Sequence, residues 1–169
     1  LSKGVKIVLP KRENFKAQLE NKLKELQGTV NEPDSITFAG NGEPTIHPDF
    51  AEIINDTIEV RNRYAPEAAI SILSNGSMLH KSSVKEALKR VDKNILKLDT
   101  GIESTFHTIN QASGGLTLDK VINNLVAFDG KLIIQTLFVR GEYNGKVIDN
   151  TTDKEIEAWL KVLDKINPE

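Results

Sequence analysis

Ser35-Ile36-Thr37-Phe38-Ala39-Gly40-Asn41-Gly42-Glu43-Pro44 is the stretch on which the fold turns. A short run of mostly β-favouring residues ends abruptly in two glycines, and glycines let a ligand approach a backbone whose last amides and carbonyls are free. The same pattern returns twice. Ala69 to Leu73 ends in Ser74-Asn75-Gly76, and Asn94 to Leu98 ends in Asp99-Thr100-Gly101. A fourth apolar stretch runs from Leu132 to about Val139.

Helical periodicity fills the intervals. Phe15, Leu19, Leu23 and Leu26 form one stripe, stopped by Gln27-Gly28, and Phe50, Ile53, Ile54 and Ile58 form another between Pro48 and Pro66. Ser83 with Glu86 has the spacing of a capping box ahead of Val84, Ala87, Leu88 and Val91. A longer loop through Gly114-Gly115 precedes a helix carrying Leu118, Val121, Ile122 and Leu125. Thr152 and Glu155 form a second capping box for a helix with Ile156, Trp159, Leu160, Leu163 and Ile166 on one side. Strands alternating with helices at this spacing require right-handed crossovers and a parallel sheet, so the class is α/β with about four strands. Four strands are too few to close an eight-stranded barrel, which leaves an open sheet or an arc of a barrel. Residues 1–169 are read as one domain.

In such a sheet all the strands end on one edge, where ligands bind. Gly40, Asn41, Gly42, Glu43, Ser74, Asn75 and Asp99 therefore converge as the candidate binding residues. Their types suit different parts of one ligand. Glu43 can hold an ammonium group, Ser74 and Asn75 can donate to a carboxylate or hydroxyls, and an ionised Asp99 can accept two hydrogen bonds from a ribose diol. An amino acid joined to a nucleoside would use all three. Each turn also has an ordinary reading. Asn75-Gly76 is a good β-turn, Glu43 and Asp99 can serve as caps, and glycine-rich turns are common in α/β proteins.

Composition narrows the chemistry. The chain has no cysteine, which removes disulfides and thiolate ligands, and His47, His80 and His107 lack the i, i+4 spacing of a metal pair. With 22 basic and 24 acidic side chains, the formal charge of -2 gives no basic stripe for a nucleic acid. No apolar run approaches a membrane span and no signal-peptide pattern opens the chain, so a cytoplasmic protein is expected.

Taken together, Ile36 to Thr45, Ser74-Asn75-Gly76, and Leu98-Asp99-Thr100-Gly101 followed by Phe106-His107-Thr108-Ile109-Asn110 resemble successive strand ends of radical S-adenosylmethionine enzymes. Asn41 stands as an insertion within that family's Gly-Gly-Glu motif. Ile134 to Gly141 is similar to the strand bordering the adenine, with Gln135 and Arg140 as lesser contacts. The resemblance covers roughly Asp34 to Asn167 and implies an arc of a partial barrel, cut at both ends. It also implies a parent enzyme that binds S-adenosylmethionine on a 4Fe-4S cluster and generates a 5′-deoxyadenosyl radical. Because the three-cysteine cluster loop is absent, the fragment itself should be inactive and should contribute no catalytic or metal-ligating residue. The substrate is not specified by the sequence. Two readings from other classes stand beside it: a nucleotide- or phosphate-binding α/β module, and a non-catalytic scaffold. A four-strand arc would also leave two edges open, which predicts edge-to-edge self-association.

Overall fold

The computed structural model describes residues 9–39, 42–111, 115–143 and 145–169. Its centre is a four-stranded sheet, all parallel, in the order β1 (Ser35–Phe38), β2 (Ala69–Ser74), β3 (Lys93–Lys97) and β4 (Ile133–Gln135). The helices are α1 (Arg12–Leu26), α2 (Phe50–Tyr64), α3 (Ser82–Leu88), α4 (Glu103–Asn110), α5 (Leu118–Val126) and α6 (Asp153–Ile166). An antiparallel hairpin, β5 (Arg140–Tyr143) with β6 (Lys146–Asp149), stands apart from the main sheet. The α/β class with a parallel sheet is thus the observed one. Among the described residues the sheet is open, with β1 and β4 at its edges.

Strand order without reversal means that every right-handed crossover passes over the same face. Burial agrees. Ile70, Ile72, Leu96 and Leu98 are buried with Phe50 and Ile54 of α2, Val84 and Leu88 of α3, Leu125 of α5 and Ile166 of α6, with Phe38 and Ile134 packed alongside. The alternate residues face the other way. Ser35, Thr37 and Gln135 are exposed, and Leu73, Ile95 and Lys97 are half-buried outside that cluster. A smaller cluster of Leu23, Val60, Tyr64 and Ala68 docks α1 on α2. Asp56 of α2, whose side chain is only 6% exposed, reinforces this contact by accepting from Arg12 at 2.7 Å and Lys16 at 3.1 Å.

Three departures from the sequence reading have physical causes. The stretch read as a loop before Gly114 contains α4, whose Phe106 is its one buried residue and whose C-terminal turn closes with Gln111 at φ 47°. The helix expected to be capped by Ser83 begins at Ser82 behind Lys81, with no side-chain cap, so that capping box does not form. The fourth strand stops at Gln135 instead of reaching Val139. Beyond it the backbone donors turn to side chains: Leu137 N–H donates to the Asp99 carboxylate at 2.9 Å and Val139 N–H to Asn150 Oδ1 at 2.7 Å. These residues become a strap across the carboxyl end of β3. Thr152 does cap α6, accepting from Glu155 N–H at 3.4 Å, but the Glu155 carboxylate turns inward instead of closing the box. Among the described residues no helix is long and apolar enough to cross a membrane.

Candidate ligand cleft at the carboxyl edge

The carboxyl ends of β1, β2 and β3 converge as the parallel topology requires. Glu43 follows β1 and caps a single 3-10 turn, Pro44–Ile46. Its Oε1 accepts from Thr45 N–H at 3.1 Å, Thr45 Oγ1 at 2.5 Å and Ser74 Oγ at 2.7 Å, and its Oε2 accepts from Asn75 N–H at 2.7 Å. Four donors from β2's end and its own turn therefore hold one carboxylate in place. Oε2 keeps unused acceptor capacity. Glu43 belongs to no ion pair among the described residues.

Ser74 and Asn75 serve this arrangement from below. The Ser74 hydroxyl is buried, donating to Glu43 and accepting from Gly76 N–H at 3.1 Å. Its one donor is spent on the protein. Asn75 is exposed, and its Oδ1 accepts from Ser77 N–H at 2.9 Å. Gly76 takes φ +73°, the left-handed conformation that Asn-Gly turns favour. Gly42 is exposed beside Glu43, with no heavy atom within 4 Å of an added Cβ, and Gly40 and Asn41 lie outside the described residues.

Asp99 sits differently from the open ribose acceptor that its type suggested. Its side chain is 0% exposed. Oδ1 accepts from Leu137 N–H, and Oδ2 lies 2.8 Å from Lys97 Nζ without the alignment of a hydrogen bond. Lys97 is 32% exposed and donates to Asn110 Oδ1 at 3.1 Å. Asn150, fully buried, joins this end of β3 to the strap: its Nδ2 donates to Asp99 O at 2.8 Å and Leu137 O at 2.9 Å. Thr136 Oγ1 and Trp159 Nε1 both donate to Leu98 O.

Between these groups opens a cleft of about 450 Å³, with Glu43, Asn75, Lys97 and Asp99 on its polar side and Phe106 and Ile109 among its apolar walls. That volume suits a small organic ligand. Of the sequence candidates, Glu43, Asn75 and Asp99 line it, whereas Ser74 supports it from behind. Gln135 is exposed, and Arg140 is engaged with Asp149 in the hairpin; neither lines the cleft. Lys97 was missed from the sequence, although its place two residues before Asp99 puts it on the same strand face. Asn110 and Asn150 carried no local signal. The histidines are apart from one another: His47 binds Pro10 O, His80 approaches Ser77 O, and His107 pairs with Glu103 on α4.

Against known proteins, no family model matches the chain. It is similar to the GTPase Obg of Brachyspira hyodysenteriae, 30% identical over 95% of this chain and 24% of that protein. It is also similar to the UPF0026 protein of Synechocystis sp., 27% identical over 81% of this chain and 48% of that one, and to the UPF0026 protein of Methanocaldococcus jannaschii, 27% identical over 80% and 39%. The chain thus spans between about a quarter and a half of these relatives. These names correct the resemblance drawn from the strand ends. The matched proteins are named as a GTPase and as UPF0026 proteins, not as radical S-adenosylmethionine enzymes, and the assignment of a 4Fe-4S cluster and a 5′-deoxyadenosyl radical to the parent protein falls with it. What the chain resembles over most of its length is a segment of larger proteins of those names.

Proposed function

We propose that the carboxyl-edge cleft binds a nucleoside-type ligand that carries an amine, making this chain a ligand-binding α/β module. The observation that carries the reading is the Glu43 carboxylate, fixed by four hydrogen bonds at the rim of the cleft and met by no cation among the described residues. A carboxylate so fixed presents its remaining acceptor capacity to the cleft, and that capacity favours a positively charged donor. Phe106 and Ile109 supply an apolar surface for a base, and Asp99 an acceptor for sugar hydroxyls. S-adenosylmethionine, with its ammonium group, is a member of this class; adenosine supplies the base and the diol without the cation.

Transfer of GTP hydrolysis from the Brachyspira relative has less support. The match covers 24% of that protein. The 169 residues contain no Gly-x-x-x-x-Gly-Lys-Ser/Thr phosphate loop. Among the described residues lining the cleft, Lys97 brings one positive charge against the two carboxylates of Glu43 and Asp99. Net negative charge at the rim opposes a triphosphate.

In the same reading the sheet is an arc of a (βα) barrel, because its strand order never reverses and its helices share one face. The chain folds as one domain, with the cytoplasm as its location. Isothermal titration with S-adenosylmethionine, adenosine, GDP and GTP tests the site. The expected order places S-adenosylmethionine and adenosine ahead of GTP, and Glu43→Gln should weaken S-adenosylmethionine about tenfold or more, the cost of losing one charge-assisted hydrogen bond. GTP binding tightest, with Glu43→Gln without effect, would sink the proposal.

A further inference from the structure

We propose that Lys97 is a resident counter-ion that a ligand displaces from Asp99, and that this exchange makes the cleft selective for ligands bearing a vicinal diol. The inference rests on the nucleoside reading and assigns its specificity.

A carboxylate buried as completely as Asp99 calls for a partner on each oxygen, either an ion pair or an aligned hydrogen bond. One oxygen is satisfied by Leu137 N–H. The other, Oδ2, is buried and has no hydrogen bond; it has only the charge of Lys97 at 2.8 Å, off the line that a hydrogen bond needs. Asp99 therefore lies in the cleft wall with one acceptor incompletely used. Lys97 is the member of the pair that faces outward, 32% exposed against 0% for Asp99, and both line the cleft. The ammonium lies on the approach by which a ligand donor would reach Oδ2.

The lysine is suited to give way. Its charge sits on a flexible four-carbon stem, and Asn110 Oδ1 at 3.1 Å offers it a second anchor when it leaves the carboxylate. The carboxylate, by contrast, is fixed: Leu137 N–H holds Oδ1, and Asn150 Nδ2 holds the Asp99 carbonyl. A diol brings two O–H donors on adjacent carbons, enough to give Oδ2 an aligned hydrogen bond and to leave a second hydroxyl for Lys97 or its neighbours. A ligand without hydroxyls there either leaves Lys97 in place and loses contact with Asp99, or displaces it and returns nothing.

Adenosine and 2′,3′-dideoxyadenosine differ only in that diol, so their affinity ratio reads the exchange. The wild-type protein should favour adenosine by about tenfold or more, because a site built to meet a hydroxyl is left unpaired by an analogue lacking it. Lys97→Met removes the competitor for Asp99. It should tighten adenosine by about threefold or more, since the ligand no longer works against a closed state, while dideoxyadenosine changes little. Lys97→Gln, which keeps a neutral partner for Asp99, should fall between the two and carries the test if the methionine variant does not fold. A Lys97 that contacts the ligand directly, or one that is merely structural, gives the opposite or no change in the ratio. Weaker adenosine binding in both variants, or equal wild-type binding of the two nucleosides, overturns the inference and leaves the site itself standing. Absence of nucleoside binding to the wild-type protein overturns both.

Discussion

Gly101 is the position at which a single methyl group should cost the most. It follows Asp99 and Thr100 at the end of β3, where α6 crosses so closely that a Cβ would lie 2.3 Å from Ala158 O, 2.4 Å from Ala158 C and 2.7 Å from Trp159 N. All three are backbone atoms, so no side chain can rotate aside. Restoring ordinary contact, about 3.4 Å or more, requires moving α6 or the end of β3 by about 1 Å. Overpacking of this kind costs about 1–3 kcal/mol, and the rigid partner places Gly101→Ala at the upper end. Its φ is not in the left-handed region, so the cost is steric and not conformational. Gly141→Ala is the control: nothing lies within 4 Å of its added Cβ, and reduced freedom of the unfolded chain should leave stability unchanged or raise it by about 0.5 kcal/mol. Urea unfolding measures both. At a typical slope of about 2 kcal/mol per molar, the Gly101→Ala midpoint should fall by roughly 1 M or more with the slope retained. A midpoint within about 0.2 M of wild type would refute the close approach of α6 to the end of β3, and with it the account of how Thr100 and Asp99 are held.

Other perturbations separate the supports. Arg12 above all, and Lys16, hold the Asp56 carboxyl below its ordinary value of 3.8 against the opposing effect of burial. Because the folded-state value is depressed, this stabilisation is present above pH 3.8 and is lost as the pH falls below it through the folded-state value. Asp56→Asn should cost about 1–2 kcal/mol at neutral pH and converge with wild type on acidification, read by urea midpoints across pH; a pH-independent gap would count against the ion pair. Asn150→Ala strands the carbonyls of Asp99 and Leu137 and the amide of Val139, and should cost about 3 kcal/mol while also exposing the strap to faster amide exchange; normal protection at Leu137 would contradict the clamp. The edges that β1 and β4 leave open among the described residues should promote self-association, seen as concentration-dependent sedimentation, and a single monomeric species at high concentration would argue against it.

The sheet and the location of the cleft were legible because both depend on short-range patterning. Alternation of Ile36 and Phe38 with Ser35 and Thr37, and abrupt polar or glycine residues after each strand, are properties of a few consecutive residues. α4 was hidden because Glu103 to Asn110 offers only Phe106 and Ile109 as apolar signals, and its ends are set by the contacts it makes. The strap was hidden for a different reason. An extended apolar run reads as strand, and nothing local reveals that the donors of Leu137 and Val139 will be taken by Asp99 and Asn150, 38 and 11 residues away. The same limit explains the family misreading. Strand ends rich in glycine, serine and acidic residues are common to parallel sheets, so they pointed to the edge where the cleft opens without specifying its chemistry.

The three carboxylates near this edge divide the work between rigidity and recognition. Glu155, buried on α6, accepts from Thr100 Oγ1 at 2.6 Å and Thr105 Oγ1 at 2.5 Å, tying the end of β3 and the start of α4 to one helix. Thr100 Oγ1 in turn accepts from Ile102 N–H at 2.9 Å, which fixes the entry to α4. Asp99, next in sequence, is consequently held from both sides: α6 and its threonine contacts behind, Asn150 and the strap above. Ordering these groups during folding removes a cost that a ligand would otherwise meet on binding. Glu43 is ordered in the same way by its four donors, yet its charge is left without a protein partner among the described residues. The edge therefore offers two fixed carboxylates of different availability, one without a cation among the described residues and one paired with Lys97. A ligand that engages both must present a cation to Glu43 and hydroxyls to Asp99, and that pairing of demands separates an amine-bearing nucleoside from a phosphate ester.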